Sequence, residues 1–295
     1  MGRHAYLILA HACPGQLKTL LEALDDSRND IFVHIDAKAD FTEDTFEGIC
    51  KNASLSFVSP RIKANWGGFS LAKVELALLE AATASHHQYY HLLSGMDMPI
   101  KNQDFIHDFF DSNDGKEFIN FWVIKKNNRT RFNRWSPFPE GGSHWQCNLL
   151  NNIAKGIQIA LGIEINRGIE FKYGSQWFSI TDAMARYILS RKEWIYKTFR
   201  HTTTCDEVFV PTLVWESPFR ENVFDKTEHS GNATHTNISN MRFIDWSRGS
   251  SIRHPWVFVA DDFELLASMP HLWARKFDER VDREIIERVS RELSR

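Results

Sequence analysis

Cysteine is scarce in this chain. Cys13, Cys50, Cys147 and Cys205 lie far apart among 295 residues and form no CxxC pair, so their spacing supports neither a disulfide framework nor a zinc site. Long apolar runs are missing too. The opening MGRHAYLILAHAC is too short for a membrane anchor and reads as a first strand. A net charge of −3 gives no excess of either sign, which argues against nucleic acid and against a broadly basic face. Neither GxGxxG nor GxxxxGK[ST] occurs, nor GxSxG, which weakens dehydrogenase, phosphate-loop kinase and lipase readings. There is no HExxH spacing and no DxD pair; the acidic residues in HIDAK and GMDMP stand singly. The expectation is a cytoplasmic protein with reduced cysteines and no bound metal or cofactor.

What is present is ordinary globular material, 43% hydrophobic and 25% charged, with 10 Trp and 22 Phe. Aromatic faces suit the apolar face of a sugar ring, although most such residues pack into cores. The first hundred residues alternate strand and helix. Tyr6–Ala10, Ile31–Asp36, Leu55–Val58 and Tyr89–Leu93 read as strands. Helical periodicity runs through Leu17, Leu20, Leu21 and Leu24, then from Ser70 to Ala84, then around Asp104 to Phe110. That alternation predicts an α/β fold with a mainly parallel sheet.

The middle is less regular. Glu117–Val123 and Phe171–Ile180 have strand character, and Lys125–His144 reads as a long loop over a site. Helices are expected over Thr181–Ser190, from near Thr204, and over Asp282–Leu293, where Ile285, Ile286, Val289 and Leu293 share a face. With no repeat and no low-complexity linker, residues 1–295 form one domain.

Ligands of open α/β sheets bind beyond the carboxyl ends of the strands, which draws attention to Asp36 and Asp97, each equally readable as a turn residue. Around them the motifs HIDAKAD, RIKANWGGFSLAKVELALLEAA and YYHLLSGMDMPIKNQ follow in order, and then YGSQWFSIT, Asp206-Glu207, RFIDW and HLWARKFD. This series resembles the core-2/I-branching N-acetylglucosaminyltransferases and their xylosyltransferase relatives from Ala5 to Asp278. It is weakest between Lys125 and Asn166. The turn of Trp66, Gly67 and Gly68 is closer to the xylosyltransferase branch.

The resemblance implies a GT-A fold, a Rossmann-like nucleotide half over about 1–123 joined to an acceptor half, with a C-terminal diphosphate-binding segment, over about 124–295. It implies an inverting, metal-independent transfer of N-acetylglucosamine or xylose from a UDP-sugar to an acceptor hydroxyl on a glycan, glycolipid or peptide. Ala10, His11 and Asp36 would then meet the uridine, and Glu207 would be the general base. Arg253 and Lys276 would neutralise the diphosphate in place of a metal. Trp66, Asp97, Ser175 and Trp246 would border the sugar. The setting implied is polysaccharide synthesis, with peripheral attachment to a membrane if the acceptor is lipid-linked.

Read without the family, these residues have plainer roles. Thr204 and Glu207 fit a capping box, Arg253 and Lys276 fit surface charges, Trp246 fits core packing, and Gly174-Ser175 fits a turn. Pro211 would kink a helix carrying Glu207. Arg248 stands where the branching enzymes have a tyrosine near the pocket. Two other functions remain open: a metal-dependent glycosyltransferase of another family, and a non-catalytic carbohydrate-binding protein.

Overall fold

A computed structural model describes residues 2–124, 126–141, 144–229, 237–248 and 254–294. Along the chain, β1 (His4–Ala10), α1 (Pro14–Ala23), β2 (Asn29–Ile35), β3 (Ser54–Phe57), α2 (Phe69–Ala82), β4 (Tyr89–Ser94), β5 (Asp97–Pro99) and α3 (Gln103–Ser112) come first. Next are β6 (Phe121–Trp122), α4 (Lys126–Arg129), α5 (Trp145–Ala160), β7 (Ser179–Thr181), α6 (Asp182–Ser190), α7 (Lys192–Phe199) and α8 (Phe209–Trp215). The chain closes with β8 (Glu228–His229), β9 (Arg242–Ile244), α9 (Phe263–Ser268), β10 (Trp273–Arg275) and α10 (Arg283–Glu292).

The main sheet has the order β3-β2-β1-β4-β7, parallel except for β7 at one edge. The sequence-derived α/β class with a parallel sheet matches this architecture. β1 lies at the centre, with His4 level with Asn29 on β2 and Tyr89 on β4. A strand covered on both faces needs apolar residues at successive positions, and Ala5 through Ile8 are fully buried. Their side chains alternate between two cores. Tyr6, Ile8 and Ala10 pack with Leu17, Leu20 and Leu21 of α1 and with Ile285, Ile286 and Val289 of α10. Ala5 and Leu7 pack with Leu76, Leu78 and Leu79 of α2. Truncating one such leucine to alanine costs about 2–5 kcal/mol.

Beyond β4 the strands become short. Asp97–Pro99 turns back antiparallel to β10, which pairs in parallel with β9, so RFI and WAR form a second sheet beside the end of the first. The expected strand Glu117–Val123 shrinks to β6 flanked by single bridges at Glu117 and Phe118. The expected strand Phe171–Ile180 shrinks to β7 plus one bridge between Trp122 and Tyr173. Phe171, Trp177 and Phe178 are buried in the second core, so packing rather than strand pairing explains their apolar character. The expected loop Lys125–His144 holds the short α4 and a set of turns, with Lys125, Gly142 and Ser143 outside the described residues. All four cysteines are free.

Candidate active site

The carboxyl ends of β1, β2 and β4 open into a cavity of about 600 Å³, an ordinary volume for a small-molecule site. Ala10, His11, Asp36, Trp66, Ser175, Glu207, Trp246 and Lys276 all line it, drawn from stretches far apart in sequence. Asp97 does not, and Arg253 lies outside the described residues.

Asp36 follows β2 at the floor. Its Oδ1 accepts the Lys38 amide at 2.8 Å and its Oδ2 the Ala64 amide at 3.3 Å, while its own amide donates to the Ala10 carbonyl at 2.8 Å. The turn-forming reading of this aspartate therefore holds, and its carboxylate still borders the cavity. Arg61 secures the same corner by donating to the carbonyls of Ile35, Asp36 and Ala39.

The wall opposite is built from two interlocked turns. Gly67 sits at φ +71°, in the left-handed region where glycine carries no penalty, and its carbonyl accepts the Thr204 amide at 2.8 Å. This bond ties the loop of Trp66, 72% exposed at the cavity mouth, to the turn Cys205–Glu207. Gly174 is required nearby: a Cβ there would stand 2.1 Å from the Asn120 carbonyl oxygen. The Gly174 amide donates to the Glu207 carbonyl at 2.9 Å, and the Ser175 amide to Asn120 Oδ1 at 2.5 Å. The Ser175 hydroxyl accepts the Trp177 amide at 3.2 Å, so it shapes a turn as well as lining the cavity.

The capping-box reading of Glu207 is corrected by the backbone. Thr204 lies in the left-handed region at φ 54°, and its hydroxyl donates to the Thr203 carbonyl, so it caps nothing. The Glu207 carboxylate instead accepts the Tyr173 hydroxyl at 2.7 Å and faces the cavity. Pro211 makes no kink, because α8 begins only at Phe209 and a first-turn proline has no amide bond to lose. Burial pushes the Glu207 carboxyl above its usual range, opposed by the Tyr173 hydrogen bond and the charge of Arg131. Asp206, also at the cavity, is pushed up by burial and then by Glu207. Behind them lies Glu75 of α2, fully buried and pushed well up by desolvation. Its Oε1 accepts Gln176 Nε2 at 2.8 Å and its Oε2 has no partner.

Cations gather at another part of the wall. Lys276 follows β10, and burial, with the neighbouring Arg275 charge, pulls its ammonium downward. Arg275 also lines the cavity; its Nη1 donates to Asp97 Oδ1 at 2.6 Å and its guanidinium lies 4.5 Å from the Trp177 ring centroid. Asp97 is thus buried behind the wall, accepting the Ser94 amide at 2.9 Å, and its expected place beside the sugar becomes a place beneath Arg275. Arg242, buried but also bordering the cavity, donates to the carbonyls of Phe178 and Asn240, and desolvation pulls it down to about 9. Arg248 turns away from the cavity, clasping Asp245 at 2.7 Å and Asp262 at 2.5 Å.

No site role was legible in the sequence for Tyr173, Arg242 or Arg275, and Asp206 figured only as the neighbour of Glu207. Arg242 and Arg275 each sit singly in an apolar strand, a signal of burial with a partner that was available in RFI and WAR. Among the described residues, no three His, Cys, Asp or Glu side chains converge as metal ligands.

Relatives give the site its context. Xylosyltransferase 2 of Rattus norvegicus is 25% identical over 316 residues, covering 97% of this chain and 33% of the relative. Xylosyltransferase oxt of Drosophila melanogaster is 23% identical over 293 residues, covering 92% and 31%. The chain spans about a third of the length of the curated relatives it matches. Among solved structures, mouse xyloside xylosyltransferase 1 in its apo form aligns over 92% of this chain and 97% of its own, with a TM-score of 0.37 and 10% identity. The sequence model of the Core-2/I-Branching enzyme matches residues 4–265, which hold the main sheet and most of the cavity wall, and the chain belongs to that family.

Proposed function

We propose that this chain is an inverting glycosyltransferase of GT-A type that moves xylose or N-acetylglucosamine from a UDP-sugar to an acceptor hydroxyl without a catalytic metal. The observation that carries the reading is the shared cavity: a carboxylate raised by burial, Glu207, and a cationic group, Lys276 with Arg275, line one space. The acceptor oxygen attacks the anomeric carbon, Glu207 takes its proton, and the bond to UDP breaks with both electrons leaving on the diphosphate. A base held above the usual glutamate range is better matched to an alcohol proton. Lys276 and Arg275 meet charge that grows on the leaving group, which is where fixed cations lower a barrier. Tyr173 orients the base. Trp66 and Trp246 offer apolar faces to a sugar ring.

Ala10, His11 and Asp36 are proposed for the nucleotide end, since the parallel strands finish there. The test is a panel of UDP-sugars, scored for transfer and for slow donor hydrolysis, with and without chelator. One sugar should be turned over at a rate that chelator leaves within about twofold, and the product should have inverted anomeric configuration. Loss of turnover on chelation, or a retained configuration, would overturn the scheme.

A further inference from the structure

Helix α5 is built with its apolar side outward. Of fourteen large hydrophobic side chains exposed among the described residues, ten lie between Trp135 and Ile163. At about 100° per residue, Trp145, Leu149, Ile153 and Ile157 form one stripe, with Leu150 and Leu161 along its edge. Trp145 is 70% exposed and Leu161 67%. The inward side is polar. Gln158 is buried, accepting the Trp135 amide at 2.9 Å and donating to the Trp135 carbonyl at 2.8 Å. Asn151 makes the same pair of bonds with Phe138, both at 3.0 Å. Amide side chains thus hold the helix in place while its apolar side faces water.

Charge says what covers it. From Lys125 to Glu170 the sequence has seven lysines and arginines, three glutamates and no aspartate, within a chain whose net charge is −3. All three glutamates have partners: Glu140 accepts from Ser70, Glu164 pairs with Arg134 at 2.9 Å, and Glu170 lies 3.3 Å from Lys172. An apolar stripe with a tryptophan at one end, set in a cationic segment, is complementary to an anionic bilayer. There, acyl chains take the stripe and headgroups the cations.

We propose that α5 docks the protein on an anionic membrane surface. The docked segment is fastened to the cavity mouth. Glu140 accepts the Ser70 amide at 2.8 Å, the Ser70 hydroxyl at 2.6 Å and Asn65 Nδ2 at 3.2 Å, and Trp66 at the mouth is the next residue after Asn65. Resting on the transferase reading above, the acceptor class is one presented at the lipid–water interface.

The test is sedimentation of the full chain with vesicles of phosphatidylcholine alone and of phosphatidylcholine with phosphatidylglycerol, followed by tryptophan emission. The wild type should bind the anionic vesicles, with blue-shifted emission and loss of binding in high salt. Combined Leu149→Ser, Ile153→Ser and Ile157→Ser should weaken partition by about 100-fold or more, since each side chain forfeits apolar burial. These residues are already solvated, so the triple variant should keep the wild-type melting curve and its donor hydrolysis in vesicle-free buffer. Equal binding by the variant, no binding by the wild type, or indifference to phosphatidylglycerol would overturn the proposal. So would a stripe-dependent dimer in velocity sedimentation without vesicle binding. Vesicle binding by a chain that hydrolyses no UDP-sugar would leave docking intact and remove the transferase reading.

Discussion

Two buried titratable clusters lie along the parallel sheet, and in both burial disfavours the charged form. His4 on β1, His91 on β4 and His107 on α3 cluster together, His4 stacked on His107 at 4.0 Å and His91 edge-on to His4, with His91 Nε2 3.1 Å from His4 Nδ1. His91 Nδ1 meets Ser179 Oγ at 2.7 Å and His107 Nε2 meets Asn29 Oδ1 at 2.9 Å. Desolvation pulls all three below the usual imidazole range, His107 to about 4, so the cluster is neutral and the surrounding aromatics close over it. At the carboxyl ends, desolvation instead pushes Glu75, Asp206 and Glu207 upward, and Asp206 and Glu207 open into the cavity. The same physical cause produces a sealed aromatic packing at one end and carboxyls raised above their usual range beside a cavity at the other. What distinguishes the two clusters is access, not burial.

The sharpest way to break that comparison is Glu207→Gln, which keeps the shape and removes the proton acceptor. Transfer should fall by about 10²–10⁴-fold, with unchanged melting temperature and UDP affinity, measured by turnover, thermal melt and calorimetry. The wild-type rate should rise with pH to a plateau whose midpoint lies above the usual glutamate range, since only the deprotonated base works. Near-normal transfer by the variant would leave Glu207 a structural residue.

A smaller effect is expected at Asp97, buried under Arg275. Asp97→Ala leaves a mostly buried guanidinium without its counter-charge, a loss of about 3 kcal/mol in urea unfolding. UDP affinity should fall as well, because Arg275 is no longer held against Trp177. Unaltered UDP affinity would show that Arg275 meets no phosphate.

The effect smallest at low pH, growing only as pH rises, tests the buried end of the carboxylate group. Glu75 has a folded pKa raised above the unfolded value of about 4.3, so the unfolded chain releases its proton first. Its contribution is fully present below that pH and is lost as pH rises, by up to about 1.4 kcal/mol per unit until the folded pKa is reached. Glu75→Gln mimics the protonated acid and keeps an acceptor for Gln176. Its stability should match wild type near pH 4 and exceed it increasingly at higher pH, as read from urea midpoints. A constant difference across pH would mean that Glu75 ionises normally.

Much of the sheet was legible from the sequence because strands covered on both faces need unbroken apolar runs. The first four strands and three helices fall within about three residues of their predicted bounds. Legibility fails where apolar residues serve something other than a strand or a core-facing helix. Phe171, Trp177 and Phe178 pack against the sheet in the second core without lying in a strand, and the periodic apolar positions of α5 face out while Gln158 and Asn151 face in. At the cavity, motif order led to Glu207 and Lys276, but no local pattern could announce that Asp97 lies behind Arg275. That pairing spans 178 positions and exists only once β5 and β10 are side by side. The capping-box pattern at Thr204 misled for a related reason, since a carbonyl from Gly67 holds the threonine in a left-handed conformation.

Glu140 bears on how such proteins can be recombined. No side chain of the Gly68 turn caps α2; the Ser70 amide there is met by a carboxylate from 70 positions downstream, favourably placed at the positive end of the helix. Gly68 leaves room for it, because a Cβ at that position would stand 2.4 Å from the same carboxylate. An exchange of residues 126–168 between two relatives is therefore a two-part graft. The incoming segment must bring an acid that fits the recipient's turn, and the turn must keep its glycine. A chimaera that moves one part without the other should melt at a lower temperature than either parent, whereas one that moves both should not.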